Sequence, residues 1–196
     1  MDPSSNKPSQ LEVWVADASF VLDQLVQLAD DDPEGEIGGH LDVTKLGMFG
    51  VSFGGMTALT VAALDPRVTA GVDMDGMPFD VVGLGAFTTP VLIFSSDHED
   101  NGTWAAILDQ AAGDAYLIKV LGAVHANFQD SAFTWTALTG LGPVDLGFGP
   151  IDPARSLDVI NAYDVAFFDE YLGGAPSPLL DSSSSDYAEA ELTTNH

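Results

Sequence analysis

The sequence predicts an α/β fold in three layers, α/β/α, built on a mostly parallel sheet of about four strands. Three observations point there. Short apolar runs alternate with helical stretches in the order strand, helix, strand. The runs are bounded by Gly, Pro and Asp, which break regular structure. The 196 residues, 46% of them hydrophobic, are enough to bury one sizeable core.

The elements follow in order. "LEVWVADASFVLDQLVQLAD" sets Val15, Ser19, Leu22 and Val26 on one stripe, with Phe20 and Leu25 beside it, which is helical spacing. "DDPEGEIGGH" combines acid, proline and glycine and reads as a loop, and "KLGMFGV" then reads as a short buried strand. "GMTALTVAALD" is a helix that ends before Pro66. "VTAGVDMD" and "PVLIFSS" are the second and third strands, "GTWAAILDQAAG" a helix closed by Gly113, and "AYLIKVLG" a fourth strand. "NFQDSAFTWTALTGLG" holds a short helix. "ARSLDVINAYDVAFFDEYLGG" carries Leu157, Ile160, Val165, Phe168 and Leu172 on a surface helix capped near Gly173. These give one domain over residues 1–175. Residues 176–196, rich in serine and acid, are expected to form a loosely packed tail.

Composition removes several classes of function. Five Lys and Arg against 30 Asp and Glu give a formal charge of -25, which repels nucleic acid and anionic membrane surfaces. With no cysteine, a disulfide framework, a zinc-thiolate site and a cysteine nucleophile are excluded. The opening "MDPSSNKPSQ" lacks a basic region leading into an apolar one, and no apolar run reaches bilayer length, so a soluble chain without stable membrane insertion is expected.

One stretch carries chemistry. In "LGMFGVSFGGMTAL", Ser52 stands where a strand gives way to a helix, in the pattern G-x-S-x-G. An apolar strand delivers the serine, Gly50 and Gly54 tolerate a strained turn, and the helix N-terminus favours developing negative charge. The backbone N–H of Phe53 would be one oxyanion donor. A serine hydroxyl is a weak nucleophile until a base accepts its proton, so a histidine is required. Four are available: His196 is terminal, His40 lies in a Gly/acid loop, His98 follows the third strand, and His125 follows the fourth. His125 is the better base, because the loop after that strand reaches the serine's end of the sheet. The acid that holds the other imidazole nitrogen is either Asp75, ending the second strand, or Asp97, ending the third. Asp73 is a weaker candidate, two residues deeper on the same side as Asp75.

The segments "VADASFVLDQL", "LGMFGVSFGGMTA", "DPRVTAGVDMDGMPF", "TTPVLIFSSDHEDNGTW", "VHANFQD" and "AFFDEYLGGAPSPLL" run in an order that resembles the C-terminal half of the α/β-hydrolase superfamily. The resemblance is closest to the platelet-activating factor acetylhydrolase (group VII phospholipase A2-like) esterases, whose members are often secreted. It implies a nucleophile at Ser52, an acid at Asp75 and a base at His125, with no metal or cofactor. Asp97 stays as the alternative acid, since cutinase-like and dienelactone-hydrolase-like relatives take theirs after the corresponding strand. Val51 departs from the histidine that many relatives carry beside the nucleophile. The implied substrates are small-molecule esters with short acyl groups, and Met77, Phe79, Trp104 and Phe128 are candidates for lining an acyl pocket, though core packing is the simpler role for each.

The resemblance also implies further strands before the opening helix and a second oxyanion N–H supplied from them. Losing one such donor costs roughly 100- to 1000-fold in kcat. The expectation is therefore a fold lacking its N-terminal strands, with the nucleophile strand at an open edge. Either a homo-oligomer or the missing N-terminal segment would cover that edge. The competing expectation is a non-catalytic or weakly active domain that self-associates through it.

Overall fold

A computed structural model describes residues 9–77, 83–98 and 102–196. The first element, α1 (Gln10–Asp30), opens on a capping box in which the Ser9 hydroxyl accepts from Glu12 N–H and the Glu12 carboxylate accepts from Ser9 N–H. Its packed stripe runs through Val15, Ala18, Leu22 and Leu25, so Ser19 and Val26 flank the buried line instead of forming it. The partner is α2 (Phe53–Leu64), met at Val61 and Ala62, beside β1 (Leu46–Val51) and the start of β2 (Val68–Met74).

After these come β3 (Val91–Ser95), α3 (Thr103–Gln110), β4 (Ala115–Val120), α4 (Ser131–Thr139), α5 (Pro153–Tyr171), the single turn α6 (Pro178–Asp181) and β5 (Ala190–Thr194). The strands lie in the order β1-β2-β3-β4-β5; the first four are mutually parallel and β5 runs antiparallel to β4. Helix α3 stops at Gln110, short of Gly113, where a side chain would strike the Thr88 carbonyl. That glycine serves a close backbone approach and not a helix cap.

Successive side chains of a strand point to opposite faces, and the core divides accordingly. Val72 and Met74, Leu92 and Phe94, and Tyr116 and Ile118 face α5, where they meet Val159, Ile160, Tyr163 and Phe167. Val91 and Ile93 face the other way, against Leu59 of α2 and Trp104 and Ile107 of α3. Every residue of β3 is buried, as expected for an inner strand covered on both faces. Each fully buried Leu, Ile or Phe contributes roughly 1.5–3 kcal/mol relative to exposure, so the middle layer dominates the stability. Among the described residues, no helix is long and apolar enough to cross a membrane.

The C-terminal segment differs from expectation. It supplies α6, a 3-10 turn at Ser185–Tyr187 and a fifth strand, where a loose tail beside about four strands was predicted. The cause is a long-range clamp from the first turn of α5. Arg155 donates to both carboxylate oxygens of Glu189, at 3.1 and 2.9 Å, and to the Asp186 carbonyl. Its guanidinium also sits 5.0 Å over the Tyr187 ring. Further along, Asn195 accepts from Ala115 N–H at 3.0 Å and donates to the carbonyls of Ala111 and Gly113. The charged serine-rich composition is that of a solvated segment, but these few side chains order it.

Register places the functional end of the sheet. Val51 pairs with Met74, Met74 with Phe94, and Ser95 with Lys119, so β1 to β4 end nearly level. The residues that follow them emerge side by side, at the edge where parallel α/β sheets form their sites.

Replacing Arg155 with Ala is expected to raise amide hydrogen exchange across residues 190–194 about tenfold while leaving β3 protected. Unchanged exchange in β5 would show that the clamp does not hold it.

Candidate active site

One residue, Ser52, separates β1 from α2, and its backbone has φ 59° and ψ −123°. A non-glycine residue in this region costs about 1–3 kcal/mol and persists only where its surroundings enforce it. Here Ser52 N–H donates to the Met74 carbonyl at 2.9 Å, tying the turn to the end of β2. A Cβ at position 50 would lie 2.4 Å from the Gly54 carbonyl carbon, so glycine is required there. At Gly54 itself a Cβ would meet nothing, whereas at Gly55 it would fall 1.9 Å from Asp73 Oδ1. The tight glycines of this turn are thus Gly50 and Gly55. Ser52 occupies the N-cap of α2 yet makes no capping bond with its side chain, and Phe53 N–H opens the helix. The hydroxyl is left for other partners beside a helix N-terminus that favours negative charge.

Asp75 follows β2 with φ 55°. Its Oδ1 accepts from Ser96 N–H at 2.7 Å, and its Oδ2 lies 2.6 Å from His125 Nδ1. The carboxylate is buried while the imidazole is half exposed. A carboxylate opposite Nδ1 keeps the proton on that nitrogen and leaves Nε2 as an acceptor. His125 begins a 3-10 turn, His125–Phe128, that is pinned by fully buried Asn127. Asn127 Oδ1 accepts from Val124 N–H at 3.0 Å and from Gly149 N–H at 2.8 Å.

Asp97 is placed differently. Its Oδ2 accepts from Gly122 N–H at 2.9 Å and its own N–H donates to the Ala123 carbonyl, closing the turn after β4. His98 Nδ1 stands 2.8 Å from Ser96 Oγ, and its ring lies 5.0 Å from that of Trp104. His40 sits in the loop before β1, and His196 rests against Tyr116.

Ser52, Phe53, Asp75 and His125 line one open cavity of about 420 Å³, together with Met77 and Trp104. Phe128 does not join them; it is 4% exposed and packs on Phe94 in the α5-facing core. Phe79 lies outside the described residues. The cavity also takes in Met56 and Ser96, which no motif marks in the sequence, and His98, one of the four histidines available as a base. Asn127, two residues after His125, carried no signal in sequence, because its hydrogen bonds are with backbone groups placed by the fold.

Beneath the turn lies Asp73, wholly buried and facing α2. Burial, reinforced by the charge of Asp75 and opposed by a hydrogen bond from Gly76 N–H, pushes its carboxyl up to about 8. Among the described residues, no group of three or more His, Asp or Glu is arranged to hold a metal ion.

A mostly parallel sheet flanked by helices, with a strained serine on a strand-to-helix turn and a carboxylate-bound histidine at the same sheet end, defines an α/β-hydrolase. Residues 28–177 match the family described as platelet-activating factor acetylhydrolase, isoform II, and the chain belongs to that family. The resemblance read from sequence is thereby borne out. The platelet-activating factor acetylhydrolase of Cavia porcellus is 29% identical over 70% of this chain and 32% of its own length. A "probable 1-alkyl-2-acetylglycerophosphocholine esterase" of Arthroderma benhamiae is 28% identical over 94% of this chain and 50% of its own. Among solved structures, a ferulic acid esterase from Streptomyces cinnamoneus superimposes with a TM-score of 0.79 at 28% identity, covering 93% of this chain and 54% of that one. The chain spans between a third and a half of the curated relatives it matches.

Proposed function

We propose that the protein is a serine carboxylic-ester hydrolase of short-chain acyl esters. The observation that carries the reading is the 2.6 Å contact between His125 Nδ1 and Asp75 Oδ2, in the cavity that the strained Ser52 lines. Ser52 Oγ attacks the ester carbonyl while His125 Nε2 takes its proton, and the new oxyanion is met by Phe53 N–H at the start of α2. Collapse breaks the bond to the alcohol, which leaves with the proton from His125. Water, deprotonated in turn by His125, attacks the acyl-enzyme and releases the acid and Ser52. Asp75 stabilises the imidazolium that forms twice in this cycle. Asp75 is preferred to Asp97 for that role because its Oδ2 lies 2.6 Å from His125 Nδ1, whereas Asp97 Oδ2 accepts from Gly122 N–H.

Substrate class follows from shape and charge. A cavity of about 420 Å³ with Met77 and Trp104 on its wall suits a small acyl group, and a net charge of -25 disfavours anionic esters. The relatives' names point to acetyl esters of alkyl glycerophosphocholines and to a ferulic acid ester. A neutral or zwitterionic carboxylic ester is common to both, and lipid degradation is one setting for it.

A second reading, a weakly active or non-catalytic domain that dimerises, draws on the sheet edge. β1 pairs only with β2 among the described residues, and Phe49 on it is 63% exposed. Two copies would have to pair against strong mutual charge repulsion, which salt screens.

Hydrolysis of p-nitrophenyl acetate tests the first reading. Ser52→Ala is expected to lower kcat at least about 1000-fold. Asp75→Asn should lower it by on the order of 10⁴-fold, and Asp97→Asn less than about tenfold. Equal rates for wild type and Ser52→Ala would end the esterase reading, and a larger loss at Asp97 would reverse the choice of acid. For the second, light scattering over a concentration series should show dimers that grow with salt; a monomer throughout would contradict it.

A further inference from the structure

Asp73 takes no part in the cycle above, yet two pieces of the site meet on its carboxyl group. Its Oδ1 accepts from Gly76 N–H at 2.8 Å, and Gly76 directly follows Asp75. The same oxygen fills the space of a side chain at Gly55, in the first turn of α2, where a Cβ would lie 1.9 Å away. It also fills that space at Gly76, where a Cβ would lie 2.4 Å from Oδ1 and 2.7 Å from the carbonyl oxygen of Ser52. No side chain can stand at either glycine without displacing the carboxyl. The two backbone segments that carry the proposed nucleophile and acid therefore close on one buried group.

We propose that Asp73 is a positioning residue whose carboxyl, wedged between the first turn of α2 and the turn after Asp75, fixes Ser52 relative to the Asp75–His125 pair. This rests on the hydrolase reading.

The wedge is uncharged at neutral pH. Oδ2 is buried and has no hydrogen-bond partner among the described residues, so no donor is there to stabilise a negative charge on it. The groups around it offer no compensating charge: Gly50 of β1 and Ile93 of β3 are its strand partners, and Gly55 faces it from α2. Among the described residues, the charged neighbour is Asp75, two residues on, with His125 beyond it. Loss of the proton would set a second negative charge beside Asp75 and drive water or backbone into the wedge. The sign for stability follows. The folded group titrates near 8 and the unfolded one near 3.8, so the folded state holds the extra proton and stability from this group falls as pH rises from about 4 to about 8.

The test compares wild type, Asp73→Asn and Asp73→Ala in p-nitrophenyl acetate hydrolysis between pH 6 and 10, with the Ser52→Ala background subtracted. Asn keeps the shape and the acceptor for Gly76 but cannot ionise. It should hold kcat within about threefold at pH 6 to 7 and abolish the decline in kcat expected of wild type above pH 8. Ala should lower kcat at least about tenfold with KM little changed, because the elbow loses its stop. A pH profile for Asp73→Asn that superimposes on wild type, or an Ala variant with wild-type kcat, would overturn the proposal. Urea unfolding supplies a readout independent of turnover: the stability advantage of Asp73→Asn over wild type should widen between pH 5 and 8, and a constant difference would overturn the protonated wedge. Failure of the hydrolase reading would register separately, as turnover that survives Ser52→Ala.

Discussion

The left-handed backbone of Ser52 is the constraint around which this end of the molecule is arranged. A φ of 59° at a serine is disfavoured by about 1–3 kcal/mol, and it is held by the pairing of β1 with β2 and by the bond from Ser52 N–H to Met74. Holding it dictates the neighbours: glycine at position 50 for the close approach of β1 to α2, and glycine at 55 for the carboxyl beneath. It also dictates position, since the turn throws the hydroxyl out at the level where β2, β3 and β4 end. Asp75 and His125 arrive there from two separate strand ends, and the sheet register makes them neighbours.

Much of this was legible in the sequence, because it depends on local chemistry. An apolar strand, a serine amid glycines and an alanine-rich helix announce a strand-to-helix turn whatever the rest of the chain does. Asp75 and Asp97 could not be separated that way. Both end buried strands, and what distinguishes them is a contact fifty residues along the chain for one and a backbone amide after β4 for the other. Phe128, a pocket candidate for which core packing was the simpler role, takes that simpler role against Phe94. The ordered C-terminal strand was hidden by composition, since one arginine on α5 outweighs a run of serines and acids. Asp73 was placed on the correct side of β2, but its complete burial against α2 could not be read from alternation alone.

The two edges of the sheet contrast in a way that bears on function. On the far side, β5 closes against β4 and is sealed by side chains of Arg155 and Asn195. On the near side, β1 leads into the strained Ser52 turn and leaves Phe49 in solvent. The relatives matched are about twice as long as this chain, and the elements matched here are those that bring the proposed triad together. A net charge of -25 would oppose self-association at that edge and disfavour anionic esters.

The central claim is that Ser52 is a nucleophile activated by His125. Covalent labelling with a fluorophosphonate, followed by peptide mapping in a mass spectrometer, tests it without any assumption about the natural ester. The account predicts one phosphonyl adduct, on the Ser52 hydroxyl, that vanishes in Ser52→Ala and forms far more slowly in His125→Ala. An unlabelled chain, an adduct on another residue, or labelling indifferent to His125 would contradict it.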